Sequence, residues 1–310
     1  MSSKRKKNPV RRALEQAVVR CILGALVISI RHRSLTSVRK LATRFAGVLS
    51  ALVPKRQRMM ERNLQAVFGP SLTPERNREI RRQSIVNICK TMGEMFKMQW
   101  MTPEELREQV TVVGTEHIDA GLARGKGVVI ITAHFGNWEF GGAALALHGY
   151  PMNVIARDAT SNLAAELTNE SRRSKGEKVF GRWDTRQLLR ALRENECVAI
   201  LPDQHAVDAA VRVTFLGLPA DSASGPALFA LRTGATFVMA FAQRQPDDHF
   251  LVTVTPGPEY EDTGDRGSDV RRFTQKLNDL IGEKILHTPE QWLWLHNRWK
   301  APRDTEPANS

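Results

Sequence analysis

From Val128 onward, short apolar runs alternate with segments of helical spacing, and this alternation limits the fold more than any other feature of the chain. VVIIT at Val128–Thr132 follows Gly127 and is apolar without interruption, so it reads as a strand covered on both faces. Met152–Ala156, Val198–Leu201, Arg212–Phe215, Thr236–Ala242 and Phe250–Thr255 read as further strands. Helical spacing falls between them at Trp138–His148, Leu163–Ser174, Thr185–Asn195 and around Ser224–Thr233. A long helix is expected at Val270–Leu286 and a short one at Glu290–Trp299. Parallel neighbours need crossover connections. The pattern therefore predicts an α/β fold with a central, mainly parallel sheet flanked by helices. Residues 54–110 read as a helical lead-in, with helices at Arg56–Val67, Pro74–Trp100 and Pro103–Gln109.

The charge of the chain is concentrated at one end. Residues 1–62 hold 16 Lys/Arg against Glu15 and Glu61, a net of +14, whereas the remainder nets −2. A near-neutral body with a basic arm argues against a fold that grips nucleic acid throughout. Behind Lys4–Lys7 lies the apolar stretch Ala13–Ile30, whose uncharged part, Cys21–Ile30, is ten residues long. A helix needs about 20 apolar residues to cross a bilayer, so an uncomplicated span is not expected. A second amphipathic segment runs from Leu35 to Leu52, with Arg39, Lys40, Thr43 and Arg44 on its polar side. Basic amphipathic helices lie in the headgroup layer of anionic membranes, and basic clusters favour the cytoplasmic side. Two core helices with solvated basic faces are the competing reading, above all for residues 34–53. The expected division is 1–53 as membrane-associating helices, 54–300 as the α/β domain and 301–310 as a disordered tail.

Three scattered cysteines, Cys21, Cys89 and Cys197, exclude a disulfide framework, a CxxC redox site and a Cys-rich zinc site. No dinucleotide fingerprint, P-loop, GxSxG elbow or HExxH pair is present. The chemistry is sought instead at Thr132-Ala133-His134-Phe135-Gly136-Asn137-Trp138-Glu139. His134 stands just past a buried strand, where open α/β sheets place their ligands. Glu139 follows in the first turns of the next helix and is within reach of the imidazole. A carboxylate there would fix the tautomer, so that the free nitrogen takes a proton from a hydroxyl. A satisfied structural histidine is the alternative on spacing alone. Backbone donors near Gly136–Trp138, Asn137 among them, could support charge developing on oxygen.

AHFGNWE (Ala133–Glu139) resembles the HX4(D/E) motif of the bacterial lipid A biosynthesis acyltransferases, within the wider lysophospholipid acyltransferase superfamily. Further blocks resemble that family in the same order. RNLQAVFG (Arg62–Gly69) lies upstream, Arg157 and Arg172-Arg173 follow the motif, and LPDQ (Leu201–Gln204) resembles its Asp-Gln segment. Phe215–Ala235 and PEQWLWLHNRWK (Pro289–Lys300) resemble its two later signatures. The resemblance implies a glycerolipid-acyltransferase-like fold and acyl transfer, from acyl carrier protein or acyl-CoA, to a hydroxyl of a lipid A precursor or related anionic glycolipid. It implies His134 as general base with Glu139 as its partner, and Arg172 and Asp203 as further residues needed for activity. Arg157 and the basic arm would suit an anionic acceptor. It implies no metal, no redox cofactor and no nucleic acid, and a location at the cytoplasmic face of the inner membrane. The bland alternatives are ion pairing of Arg172 with Glu166, Glu170 or Glu177, and a capping role for Asp203. Trp292, Trp294 and Trp299 read as core or membrane-interface residues. A catalytically silent membrane adaptor is the reading from a different class.

Overall fold

The computed structural model describes residues 24, 27–156, 163–181 and 183–300. Of the first amphipathic segment of the arm only residues 24 and 27–30 are described, and Arg157 and the tail 301–310 lie outside the described residues.

Seven strands form the central sheet: β1 (Val110–Val113), β2 (Val128–Ile131), β3 (Met152–Ala156), β4 (Lys178–Gly181), β5 (Cys197–Ile200), β8 (Thr236–Arg244) and β9 (Phe250–Pro256). Their spatial order is β1-β9-β8-β2-β5-β3-β4. Every neighbouring pair is parallel except the β8–β9 hairpin, so the mainly parallel sheet expected from the alternation is present. β2 sits at the centre between β8 and β5. Its four residues are all buried because both faces are covered. Val128 and Ile130 pack with Ile118, Phe140 and Leu145 on one face. Val129 and Ile131 pack with Leu188, Phe273 and Ile281 on the other.

Behind the helical residues 27–31, ten α-helices have described ranges. α1 (Leu35–Leu52), α2 (Pro54–Phe68), α3 (Pro74–Met98) and α4 (Pro103–Arg107) precede the sheet or flank β1. α5 (Glu116–Ala123), α6 (Trp138–Leu147), α7 (Leu163–Arg173), α8 (Thr185–Arg193), α9 (Gly225–Thr233) and α10 (Arg266–His287) surround it. α3 starts where Thr73 caps the Arg76 N–H and Pro74 takes the first turn, and its 25 residues carry it across the structure. Thr102 and Glu105 close α4 with a reciprocal capping box.

The structure departs from the sequence reading at several places. β1, α5 and β4 were not anticipated; each is short, and β1 lies within a stretch of mostly polar flanks. β6 (Ala210–Phe215) does not join the central sheet. It pairs antiparallel with β7 (Leu218–Ala223) through Leu216 and Gly217, both at positive φ, as a tight hairpin requires. Glu290–Trp299 is not a helix. A single 3-10 turn, Pro289–Gln291, leads into irregular chain. Trp292 and Trp294 insert their indoles into the core there, with Trp294 donating to the Pro289 carbonyl at 2.7 Å. Arg298 then ties the β6–β7 hairpin to α10 through the Asp221 carbonyl, Ser222 and Asn278.

α1 is helical as its periodicity predicted, with Ser34 as N-cap. Its inner face, Val38, Ala42 and Ala46, is buried, while Phe45, Val48 and Leu52 remain exposed. Arg39 does not belong to the solvated face. It is buried and donates to Glu94 of α3 at 2.6 Å. Among the described residues no helix is long and apolar enough to cross a membrane.

Candidate active site

Register brings the site together. Val128 lies opposite Cys197, and Ile131 opposite Ile200, so β2 and β5 finish level. The Thr132 N–H still bonds the Ile200 carbonyl at 3.0 Å. The two following loops, Thr132–Asn137 and Leu201–Gln204, therefore leave the same sheet edge side by side.

The first loop turns sharply at Gly136, whose φ is +58°. A Cβ there would lie 1.8 Å from the Ala242 carbonyl oxygen, so only glycine fits. The Gly136 and Asn137 N–H groups donate to Gln291 and Ala242 carbonyls, each at 3.0 Å. They are spent on structure, which corrects the expectation that they stabilise developing charge. The Trp138 N–H keeps no acceptor among the described residues. Asn137 caps α6 by accepting from the Phe140 N–H at 3.0 Å, and its Nδ2 donates to Glu94 at 2.8 Å. It is fully buried and acts as a support.

His134 is locked on three sides. Its carbonyl accepts from Leu293 N–H at 3.0 Å, its own N–H donates to Asp203 Oδ2 at 3.0 Å, and its Nδ1 lies 2.9 Å from Asp203 Oδ1. The Trp292 indole also donates to Asp203 Oδ2, at 2.9 Å. Burial alone would push the Asp203 carboxyl upward. The His134 charge and the hydrogen bonds from His134 and Trp292 outweigh it and hold the carboxyl below its usual range. An ionised Asp203 makes Nδ1 the protonated nitrogen and leaves Nε2 as the acceptor. The Gln204 amide stands 3.2 Å from Nε2, and the Trp138 ring meets the imidazole edge-on at 5.0 Å. A second imidazole, His296, accepts from the His205 N–H at 3.0 Å, and burial pushes it down to about 4.

Glu139 does not hold the imidazole. Its two oxygens take a fork from Arg172, Nε at 2.9 Å and Nη2 at 2.7 Å, and the Trp138 indole donates at 2.8 Å. The reason is geometric: Glu139 lies on α6, and α7 delivers Arg172 against it. Arg172 thus pairs with Glu139 rather than with the neighbouring acids of its own helix. Asn169 completes the guanidinium at 3.1 Å. Beneath the pair a narrow cavity of about 50 Å³ runs between α6 and the sheet, walled by Ile130, Val154, Ala199 and Ala240. Glu177 closes its polar end. Burial first, and the Glu139 charge second, push that carboxyl up to about 8 against the pull of Arg172, and its Oε1 has no partner.

Three contributors were not legible in the sequence: Trp292 on Asp203, Glu177 in the cavity, and Glu94. Glu94 is fully buried and binds Arg39, Arg244 and Asn137 at once. Burial opposes its ionisation, and the two arginines overcome that and keep its carboxyl low. Among the described residues no group of three His, Cys, Asp or Glu side chains is arranged to hold a metal ion.

The chain is 25% identical over 254 residues to a phosphatidylinositol mannoside acyltransferase of Mycolicibacterium smegmatis, covering 80% of this chain and 81% of that protein. It is 24% identical over 268 residues to the lipid A biosynthesis palmitoleoyltransferase of Escherichia coli, covering 84% of each. With the lipid A biosynthesis lauroyltransferase of the same organism it shares 25% identity over 275 residues, 87% of this chain and 85% of the relative. The family description of the bacterial lipid A biosynthesis acyltransferases matches residues 5–301, nearly the whole chain. The chain belongs to that family and is an acyltransferase.

Proposed function

We propose that this chain moves a fatty acyl group from an acyl thioester, acyl carrier protein being the favoured donor, to a hydroxyl of a lipid A precursor, with His134 as general base. The observation that carries this reading is the buried Asp203 carboxylate on Nδ1 of His134. It leaves Nε2 free to take the proton of an alcohol, which is a poor nucleophile until deprotonated. The incoming hydroxyl replaces the Gln204 amide at Nε2 and attacks the thioester carbonyl. As the tetrahedral species collapses, the C–S bond breaks and the imidazolium returns its proton to the leaving sulfur. The Trp138 N–H and the Gln204 amide are the donors available to the oxyanion. Glu139 and Arg172 serve by holding the start of α6 and the Trp138 ring. The apolar cavity below offers room for part of the acyl chain.

On this reading the enzyme works at the cytoplasmic face of the inner membrane. The support is α1, where exposed Phe45, Val48 and Leu52 lie beside the exposed bases Lys40 and Arg44. A second reading keeps the reaction and changes the acceptor to another glycolipid, or the donor to acyl-CoA. It is favoured by the phosphatidylinositol mannoside acyltransferase, which is as similar as the lipid A enzymes.

The test is a transfer assay on membranes carrying wild-type or His134→Ala protein. It offers acyl carrier protein and coenzyme A thioesters with a lipid A precursor and a panel of glycolipids, and product is read by mass spectrometry. An acylated lipid A precursor from wild type alone is the expected result. Acylation of another glycolipid alone replaces the acceptor. Equal product from both proteins removes His134 as the base.

A further inference from the structure

A second cavity, of about 380 Å³, lies between α1, α3 and the turn joining β8 to β9. α1 brings Arg39, Lys40 and Arg44 to it, α3 brings Lys90, and the turn brings Asp247 and Asp248. Arg39 is only 8% exposed, and its Nε is taken by Glu94. Its Nη2 is buried and has no hydrogen-bond partner. A buried charged donor left unsatisfied is costly, so the guanidinium that Arg39 brings to the cavity wall carries a positive charge that Glu94 alone does not satisfy.

The surrounding charges specify that acceptor. Glu94 is shared between Arg39 and Arg244. Asp248 is shared between Lys90 at 2.8 Å and Arg244 at 3.2 Å. Asp247 accepts from the His249 N–H at 3.0 Å. Lys40 and Arg44 are exposed and make no ion pair among the described residues. Arg39, Lys40, Arg44, Lys90 and Arg244 thus face Glu94, Asp247 and Asp248, an excess of two positive charges. Thr36 and Thr43 complete the lining.

We propose that this cavity binds a phosphate or phosphomonoester group. A dianionic oxyanion balances the excess, and its several oxygens suit the two exposed, flexible bases Lys40 and Arg44 beside the Arg39 charge. The cavity exceeds the group itself and leaves room for the remainder of a larger ligand. The site lies apart from His134 yet shares Glu94 with Asn137, the cap of the catalytic helix. The inference does not depend on the acyl-transfer reading, because its readout is binding.

Inorganic phosphate titrated into the full chain by calorimetry tests it. Saturable binding is expected, and the Lys40→Ala/Arg44→Ala variant should weaken it by about tenfold or more. Arg186→Ala/Arg190→Ala, which removes two exposed charges from α8, should leave it unchanged. Arg39→Lys, which keeps the charge but loses the guanidinium held by Glu94, should also bind weakly. The K40A/R44A pair carries the test even if Arg39→Lys fails to fold. Phosphatidylcholine vesicles with and without phosphatidic acid identify the source. Sedimentation that needs Lys40 and Arg44 and is competed by phosphate means a lipid headgroup. Vesicle binding indifferent to the pair, with phosphate binding lost, means a soluble phosphorylated ligand. Absence of saturable binding, or equal affinity in the K40A/R44A and R186A/R190A variants, overturns the proposal.

Discussion

Asp203 holds His134 twice: Oδ1 lies 2.9 Å from the imidazole Nδ1, and Oδ2 accepts the backbone N–H of the same residue at 3.0 Å. One carboxylate thereby sets the tautomer, the ring plane and the position of the loop. The third bond, from Trp292, fixes the carboxylate itself. On the proposed mechanism, such triple anchoring removes freedom that would otherwise be lost on reaching the transition state.

Asp203→Asn is expected to retain the fold and lose most activity. The amide can still accept from Trp292 and the backbone, but it no longer enforces Nδ1–H or stabilises the imidazolium. A fall in kcat of about 10²- to 10⁴-fold is expected, with a far-ultraviolet spectrum like that of wild type. Activity within a factor of two of wild type would remove Asp203 from the mechanism.

The Arg172–Glu139 pair is buried, with side-chain exposures of 16% and 4%. Arg172→Ala leaves Glu139 uncompensated and withdraws the opposing charge from Glu177. A loss of about 3–5 kcal/mol in denaturant unfolding is expected. The double variant Arg172→Gln/Glu139→Gln should lose clearly less than the sum of the single variants, because neither then strands a charge. Strict additivity would show that the pair does not interact.

Gly136→Ala should be among the most damaging single changes outside the core. Its φ is positive, and the added Cβ would collide with the Ala242 carbonyl at 1.8 Å. The turn carrying His134 must move or the β8 edge must open. A loss of about 3 kcal/mol or more is expected, together with loss of activity. A melting temperature equal to that of wild type would contradict the geometry.

Glu177 makes stability fall as pH rises. Its folded carboxyl sits at about 8, above the usual value of 4.5, because burial and the Glu139 charge disfavour ionisation. Between those two values the unfolded chain has released the proton and the folded chain retains it, so the slope of unfolding free energy with pH is negative. Glu177→Gln abolishes this contribution. The variant should gain stability over wild type by a few kcal/mol, roughly, on going from about pH 5 to about pH 8. Urea unfolding at both ends of that range measures it, and parallel pH profiles for the two proteins would refute it.

Much of the framework is legible in the chain because burial is written locally. The uninterrupted apolar runs at Val128 and Val198 read as buried strands and are so, and Met152–Ala156, which includes Asn153, is a partly buried strand. His134 could be found for the same reason, since it follows the first such run. The C-terminal segment misled because Trp292 and Trp294 mimic an amphipathic turn in composition. Their i, i+2 spacing is that of extended chain, and both rings enter the core.

The sequence alone determined the strand–helix alternation, the loop that carries His134 and, through the order of its blocks, the family. The tertiary structure decided which groups meet. Glu139 is five residues from His134 but turns with α6 toward Arg172, whereas Asp203 is 69 residues away and arrives by parallel register of β5 beside β2. Arg39, assigned by periodicity to a solvated face, is drawn inward by Glu94, 55 residues further on. Hydrophobic periodicity records which face of an element is buried. Which charged partner waits there depends on how elements distant in sequence are set against each other, and no local spacing carries that information.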